Sequence, residues 1–92
     1  MDYIIEPERK IPVKAEYDTV VAGGGIAGIA AATAAARSGA RVLLIEKQYM
    51  PGGLATAGLV TIFLPLCDGM GRQVTFGIAE ELLRLSVRHG YE

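Results

Sequence analysis

Asp18-Thr19-Val20-Val21-Ala22-Gly23-Gly24-Gly25-Ile26-Ala27-Gly28-Ile29-Ala30-Ala31-Ala32 decides the fold. Asp18 to Ala22 is short, β-branched and apolar, and it runs directly into glycines, which reads as a buried strand. Ile26 to Ser38 is alanine-rich, with no glycine after Gly28 and no proline. Alanine is the best helix former, so a helix is predicted there. Arg37 falls in its last turn and Gly39 just beyond, the usual stop signal. Arg41-Val42-Leu43-Leu44-Ile45-Glu46 is a second apolar strand. Strand, helix and strand in about 30 residues predict a βαβ unit with parallel strands.

Residues 23–28 spell G-x-G-x-x-G. The string alone is weak evidence. Here a strand precedes it, a helix follows, and an acid stands about 20 residues on, the context that gives it chemical meaning. Gly23 makes the strand-to-helix turn, Gly25 lets a pyrophosphate approach the backbone, and Gly28 lets the helix pack on the strand. The helix start, Ile26 and Ala27 included, offers free N–H groups and the positive end of the helix dipole to phosphates. Glu46 ends the second strand, 18 residues beyond Gly28. A carboxylate there accepts ribose hydroxyls and repels a 2′-phosphate, which argues against NADP. Arg41 stands at the opposite end of that strand, too far to rescue a phosphate. The fold class expected is α/β: a Rossmann-like dinucleotide-binding unit with parallel strands and a following helix, part of a larger FAD/NAD(P)-binding domain.

Outward from this unit, residues 1–16 are a charged, proline-bearing N-terminal arm, and residues 17–92 are expected to form the partial dinucleotide-binding domain. Lys47 to Gly53 reads as a loop. Leu54 to Leu66 is apolar and glycine-interrupted, compatible with short strands or an irregular segment. Asp68-Gly69-Met70-Gly71 is a turn signal. A helix is predicted from Gly77 to His89, ended by Gly90. Ile78, Leu82 and Leu85, with Ala79 and Leu83, form its apolar stripe, and Glu80 pairs with Arg84 at i, i+4.

Composition narrows the field. The 92 residues carry nine basic and ten acidic side chains and a net charge of −1, so nucleic acid and anionic membrane are not expected partners. Hydrophobic residues make up 51%, which excludes a disordered tail. One cysteine excludes an internal disulfide. The start lacks a secretory signal, and a cytoplasmic location is expected. Thr19 to Ala36 is an uncharged run of 18 residues, near the length of a membrane span, but three consecutive glycines would break such a helix.

Beyond Glu46 the chain continues Lys47-Gln48-Tyr49-Met50-Pro51-Gly52-Gly53-Leu54-Ala55-Thr56-Ala57-Gly58, then Gly71-Arg72-Gln73-Val74 and Gly77-Ile78-Ala79-Glu80-Glu81. In order and spacing, segment 17–90 resembles the N-terminal end of FAD-dependent oxidoreductases of the two-dinucleotide-binding-domain type, nearest the heterodisulfide reductase A-like group. The resemblance implies FAD as cofactor, with Gly23, Gly25 and Gly28 on its pyrophosphate and Glu46 on the adenosine ribose. It further implies Lys47 near the adenine, Gly52 and Gly53 along the pyrophosphate, and Thr56 as a phosphate hydrogen-bond donor. It also implies that the flavin pocket and substrate site lie mostly outside residues 1–92. The parent protein would be the enzyme and this chain alone inactive, completed by the remainder of the parent chain or a larger assembly.

Two alternatives remain open from the residues: an NAD-binding unit of a dehydrogenase or NAD-consuming synthase, and a non-catalytic remnant that binds no cofactor. No catalytic triad, metal-ligand spacing or acid–base carboxylate pair is present. Cys67 reads as a small core residue rather than a thiol beside the flavin. His89 reads as a helix-end cap. Arg72 and Gln73 read as turn residues, with an approach to the flavin edge as the other possibility. Tyr49 and Met50 either pack on adenine or fill their loop.

Overall fold

A computed structural model describes residues 1–60, 62 and 65–90. Strand β1 spans Thr19–Ala22, helix α1 Ile26–Arg37, strand β2 Val42–Ile45 and helix α2 Ile78–Gly90, with one 3₁₀ turn at Gly53–Ala55. The strands form a two-stranded parallel sheet in the register Thr19↔Val42 to Ala22↔Ile45. A parallel pair needs a crossover long enough to return the chain to the same end, and α1 supplies it. The predicted βαβ unit is thus the observed one. β1 starts one residue inside the range read from sequence and ends where it was read, and β2 is one residue shorter at each end. α2 continues through Gly90, where the sequence placed its end, a one-residue difference of the size that helix termini ordinarily show.

The sheet is clamped at both ends. At its entry the Asp18 carboxylate accepts the Arg41 N–H (2.7 Å), and the Asp18 N–H donates to the Arg41 carbonyl (3.0 Å). The Arg41 guanidinium lies 5.6 Å from the Tyr17 ring centroid, a cation–π contact that holds this cation far from the glycine turn. At the other end the Gly23 N–H donates to the Ile45 carbonyl at 2.8 Å. α1 then rests directly on the strand-to-helix turn. A Cβ at Gly28 would overlap the Gly23 carbonyl oxygen and touch Val21 Cγ1 at 3.5 Å. This is the close packing expected of the third fingerprint glycine.

Among the described residues no apolar side chain is fully buried. Side chains alternate across a strand, so α1 covers the Val21 face and leaves Val20 (55% exposed) on the other. The radius of gyration is 18.6 Å, whereas a compact domain of this length has about 12 Å. Residues 1–16 form an exposed arm without regular structure. No helix among the described residues is long and apolar enough to cross a membrane, and the uncharged run 19–36 divides into β1, the glycine turn and most of α1.

α2 is tied to α1 by one ion pair, with Arg37 donating to both carboxylate oxygens of Glu81 at 2.7 and 2.8 Å. The expected Glu80–Arg84 pair is also present, at 2.7 Å. The apolar stripe of α2 stays open, with Leu82, Leu83, Leu85 and Val87 all exposed. Of segment 54–66, residues 61, 63 and 64 lie outside the described residues. At the turn that follows, the Asp68 carboxylate accepts the Met70 N–H (2.7 Å) and the Arg72 N–H (3.2 Å). That turn pairs Cys67 with Gln73 in a single antiparallel bridge. Cys67 is exposed, which corrects its reading as a core residue: it lines an open trough along α2 instead of being packed beneath it.

Two outcomes are expected. Gly28→Ala inserts a methyl into backbone and should lower stability by about 1–3 kcal/mol, read as a shift in denaturant midpoint. The second concerns pH. The hydrogen-bonded Arg37 guanidinium holds the Glu81 carboxyl below the usual carboxylate range. The folded value lies below the unfolded one, so the pair's contribution is present above the ordinary carboxylate pKa and is lost as pH falls through the lowered value. Amide protection factors in α2, corrected for the intrinsic pH dependence of exchange, should therefore fall on acidification through that range. Arg37→Gln should show the lower protection already at neutral pH.

Candidate functional site

The site is built where β1 meets α1. Gly23 turns the chain at φ +107°, a conformation that side chains rarely adopt. Gly25 then serves as the helix N-cap with extended backbone (φ −71°, ψ −172°), without a side-chain cap and without an acid in the first turn. The first backbone bond of the helix runs from the Ile29 N–H to the Gly25 carbonyl at 2.9 Å. Among the described residues the N–H groups of Ala27 and Gly28 find no protein acceptor. An uncapped helix N-terminus presents amide donors and positive potential outward, the arrangement that suits a phosphate. A Cβ built on Gly25 meets nothing within 4 Å, so the space beside its backbone is free.

The second glycine run comes back to the first. The Gly52 N–H donates to the Gly24 carbonyl at 2.7 Å, and Gly25 and Gly52 form a parallel bridge. A Cβ on Gly53 would stand 3.1 Å from Gly25 Cα. Gly24 and Gly52 are the two buried residues among those described. Gly52 has φ +108°, and a Cβ there would lie 2.5 Å from Thr56 Cγ2 and Oγ1. The Thr56 hydroxyl donates its proton to the Pro51 carbonyl, so it closes the 51–56 turn rather than pointing a donor at the glycines.

Glu46 follows the last residue of β2 and reaches the same place. Its Oε2 accepts the Gly24 N–H at 3.3 Å, and its side chain is half-buried. The other oxygen, Oε1, makes no protein hydrogen bond among the described residues. Gly23, Gly25, Ile26, Ala27, Gly28, Glu46, Gly52 and Gly53 thus meet at one end of the sheet. Lys47 is exposed immediately after Glu46. Tyr49 is fully exposed, so it does not fill its loop.

The remaining candidates lie elsewhere. Arg72 and Gln73 belong to the Asp68 turn, and the Gln73 amide donates to the Thr75 carbonyl at 2.9 Å. His89 sits with Arg88 in the last turn of α2, the place read for it. Two depressions, of about 470 and 640 Å³, are open troughs along α2. The glycine turn lines neither of them.

Gly24 is the residue that the sequence reading passed over. The fingerprint leaves its second position free, yet this chain has glycine there too, and that excess glycine was the available signal.

A family profile for FAD dependent oxidoreductases matches residues 18–91. Thioredoxin reductase of Ureaplasma parvum serovar 3 is 38% identical over 76 residues, covering 83% of this chain and 25% of that protein. Prolycopene isomerase 2 of an Oncidium hybrid cultivar is 52% identical over 44 residues, which is 48% of this chain and 8% of that protein. Sarcosine oxidase subunit alpha of Rhizobium meliloti is 38% identical over 60 residues, 65% of this chain and 6% of that protein. The chain therefore spans at most a quarter of the length of these relatives. No solved structure is significantly similar to it. With its parallel βαβ unit and a match over nearly all of the chain beyond the arm, this chain belongs to the FAD-dependent oxidoreductase family.

Proposed function

We propose that this chain is the FAD-binding N-terminal segment of a longer flavin-dependent oxidoreductase. The observation that carries this reading is the convergence of both glycine runs on an uncapped helix N-terminus, with open space beside Gly25 and the Glu46 carboxylate at its flank. FAD is the cofactor of the family, and when bound it supplies hydride or electron transfer through its flavin ring. This chain's part is to hold the adenosine end.

In this reading Gly25 and the amides of Ile26, Ala27 and Gly28 receive the pyrophosphate. Gly52 and Gly53 extend the side-chain-free surface along it. Glu46 offers its unengaged oxygen to the ribose, and Lys47 lies toward the adenine. Thr56 contributes by closing the turn that presents Gly52. NAD is not favoured by the family match. The exposed apolar faces of the sheet and of α2 support completion by further chain or by an assembly, which would also carry the flavin pocket and the substrate site. A narrower kinship with the heterodisulfide reductase A-like group rests on Gly71–Val74 and Gly77–Glu81.

Two substitutions in the protein at its full natural length test this. Gly25→Ala is free of strain and of protein neighbours, so stability should stay within about 0.5 kcal/mol. Its methyl would occupy the ligand's space, so the protein should purify without flavin absorbance. A fully yellow Gly25→Ala protein would overturn the cradle. Glu46→Gln should weaken FAD binding by about 1.5–3 kcal/mol, measured by titration of the apoprotein. Unchanged affinity would reduce Glu46 to a strand-end residue.

A further inference from the structure

We propose that Gly24 is a positioning residue that sets where the Glu46 carboxylate meets the adenosine ribose. This rests on the FAD reading above and adds a residue to it. The three atoms nearest to a Cβ at Gly24 would all belong to Glu46: Cβ at 3.2 Å, Cγ at 3.4 Å and Cδ at 3.6 Å. The missing side chain of residue 24 is therefore the space in which the Glu46 side chain lies. The Gly24 N–H also holds Oε2 at 3.3 Å, which orients the carboxylate and leaves Oε1 free.

The Gly24 backbone has nowhere to retreat. Its carbonyl accepts the Gly52 N–H at 2.7 Å, and the preceding Gly23 N–H is bonded to the Ile45 carbonyl at 2.8 Å. With its neighbours fixed, an added side chain displaces Glu46 rather than the turn. Alanine asks Glu46 to give by a few tenths of an ångström. Valine, with two further carbons, expels the carboxylate from its place. The pyrophosphate surface lies apart from Glu46: a Cβ built on Gly25 meets nothing within 4 Å, the Glu46 side chain included. The consequence is selective: recognition of the ribose hydroxyls is lost while the rest of the dinucleotide still binds.

The test uses the full-length apoprotein, with dissociation constants for FAD and for its 2′-deoxyadenosine analogue read by flavin fluorescence. Wild type should prefer FAD by about tenfold or more, the least that one charge-assisted hydrogen bond gives. Gly24→Ala should cut the preference to about threefold. Gly24→Val should erase it, with affinity for the deoxy analogue unchanged. In a Glu46→Gln background Gly24→Ala should change the preference no further, since it acts through that carboxylate. Should the valine variant fail to fold by circular dichroism, the alanine variant and the double variant decide. Wild-type discrimination retained in Gly24→Ala, or equal loss of both probes, would overturn the proposal while the FAD reading stands. Wild-type protein that binds neither probe would overturn the FAD reading and this proposal with it.

Discussion

The Gly52 N–H meets the Gly24 carbonyl at 2.7 Å, and these two glycines are the buried residues of the described chain. Burial here belongs to backbone, not to an apolar core. A buried amide and carbonyl left unpaired would each be costly, so the bond is the natural partner of the burial it creates. Everything at the ligand end follows from it. It brings residues 51–56 back over the strand-to-helix turn, sets Gly53 against Gly25, and fixes the turn from which Gly24 orients Glu46. A side chain at 24 would run into Glu46, and one at 52 into Thr56. The requirement for glycine thus arises within the protein itself, before any ligand is considered.

The two ends of the sheet have opposite electrostatic characters for physical reasons. At the entry, Asp18 and Arg41 engage each other's backbone and the Tyr17 ring, so their charges are spent on holding the strands in register. At the exit, the uncapped start of α1 leaves amides facing outward, and the one carboxylate present is turned aside by Gly24. An anion is therefore favoured in front of Gly25, and hydroxyl donors are favoured beside Glu46. These are the two groups that the proposed function assigns to an adenine dinucleotide.

The apolar surfaces describe the other half of the molecule. The outer face of the sheet and the stripe of α2 are exposed, and α2 is fastened to α1 through one ion pair at the surface, the kind that contributes little in water. The ligand end is therefore ordered by backbone hydrogen bonds, while the position of α2 rests on a contact that salt and acid weaken.

Much of this was legible in the sequence. The βαβ unit was, because a strand's β-branched run, a helix's alanines and a stopping glycine act locally, and a parallel pair follows from the length of the crossover. The turn at Gly23 and the close packing at Gly28 were legible for the same reason: six consecutive residues contain the whole turn. Other features required the tertiary structure. Gly24 touches Glu46 across 22 residues, and that contact exists only because Ala22 pairs with Ile45. Arg37 read as a helix-end charge, yet it meets Glu81 across 44 residues. Thr56 read as a donor for phosphate, but its proton goes to the Pro51 carbonyl, which a turn places within reach. Cys67 read as core, since an apolar neighbour is a local cue, whereas burial depends on whether another layer arrives. Sequence by itself determined the elements and the glycine cradle, because both arise from interactions between near neighbours. Tertiary structure alone decided which groups the cradle holds in place, because strand register and loop return bring distant residues within hydrogen-bond distance.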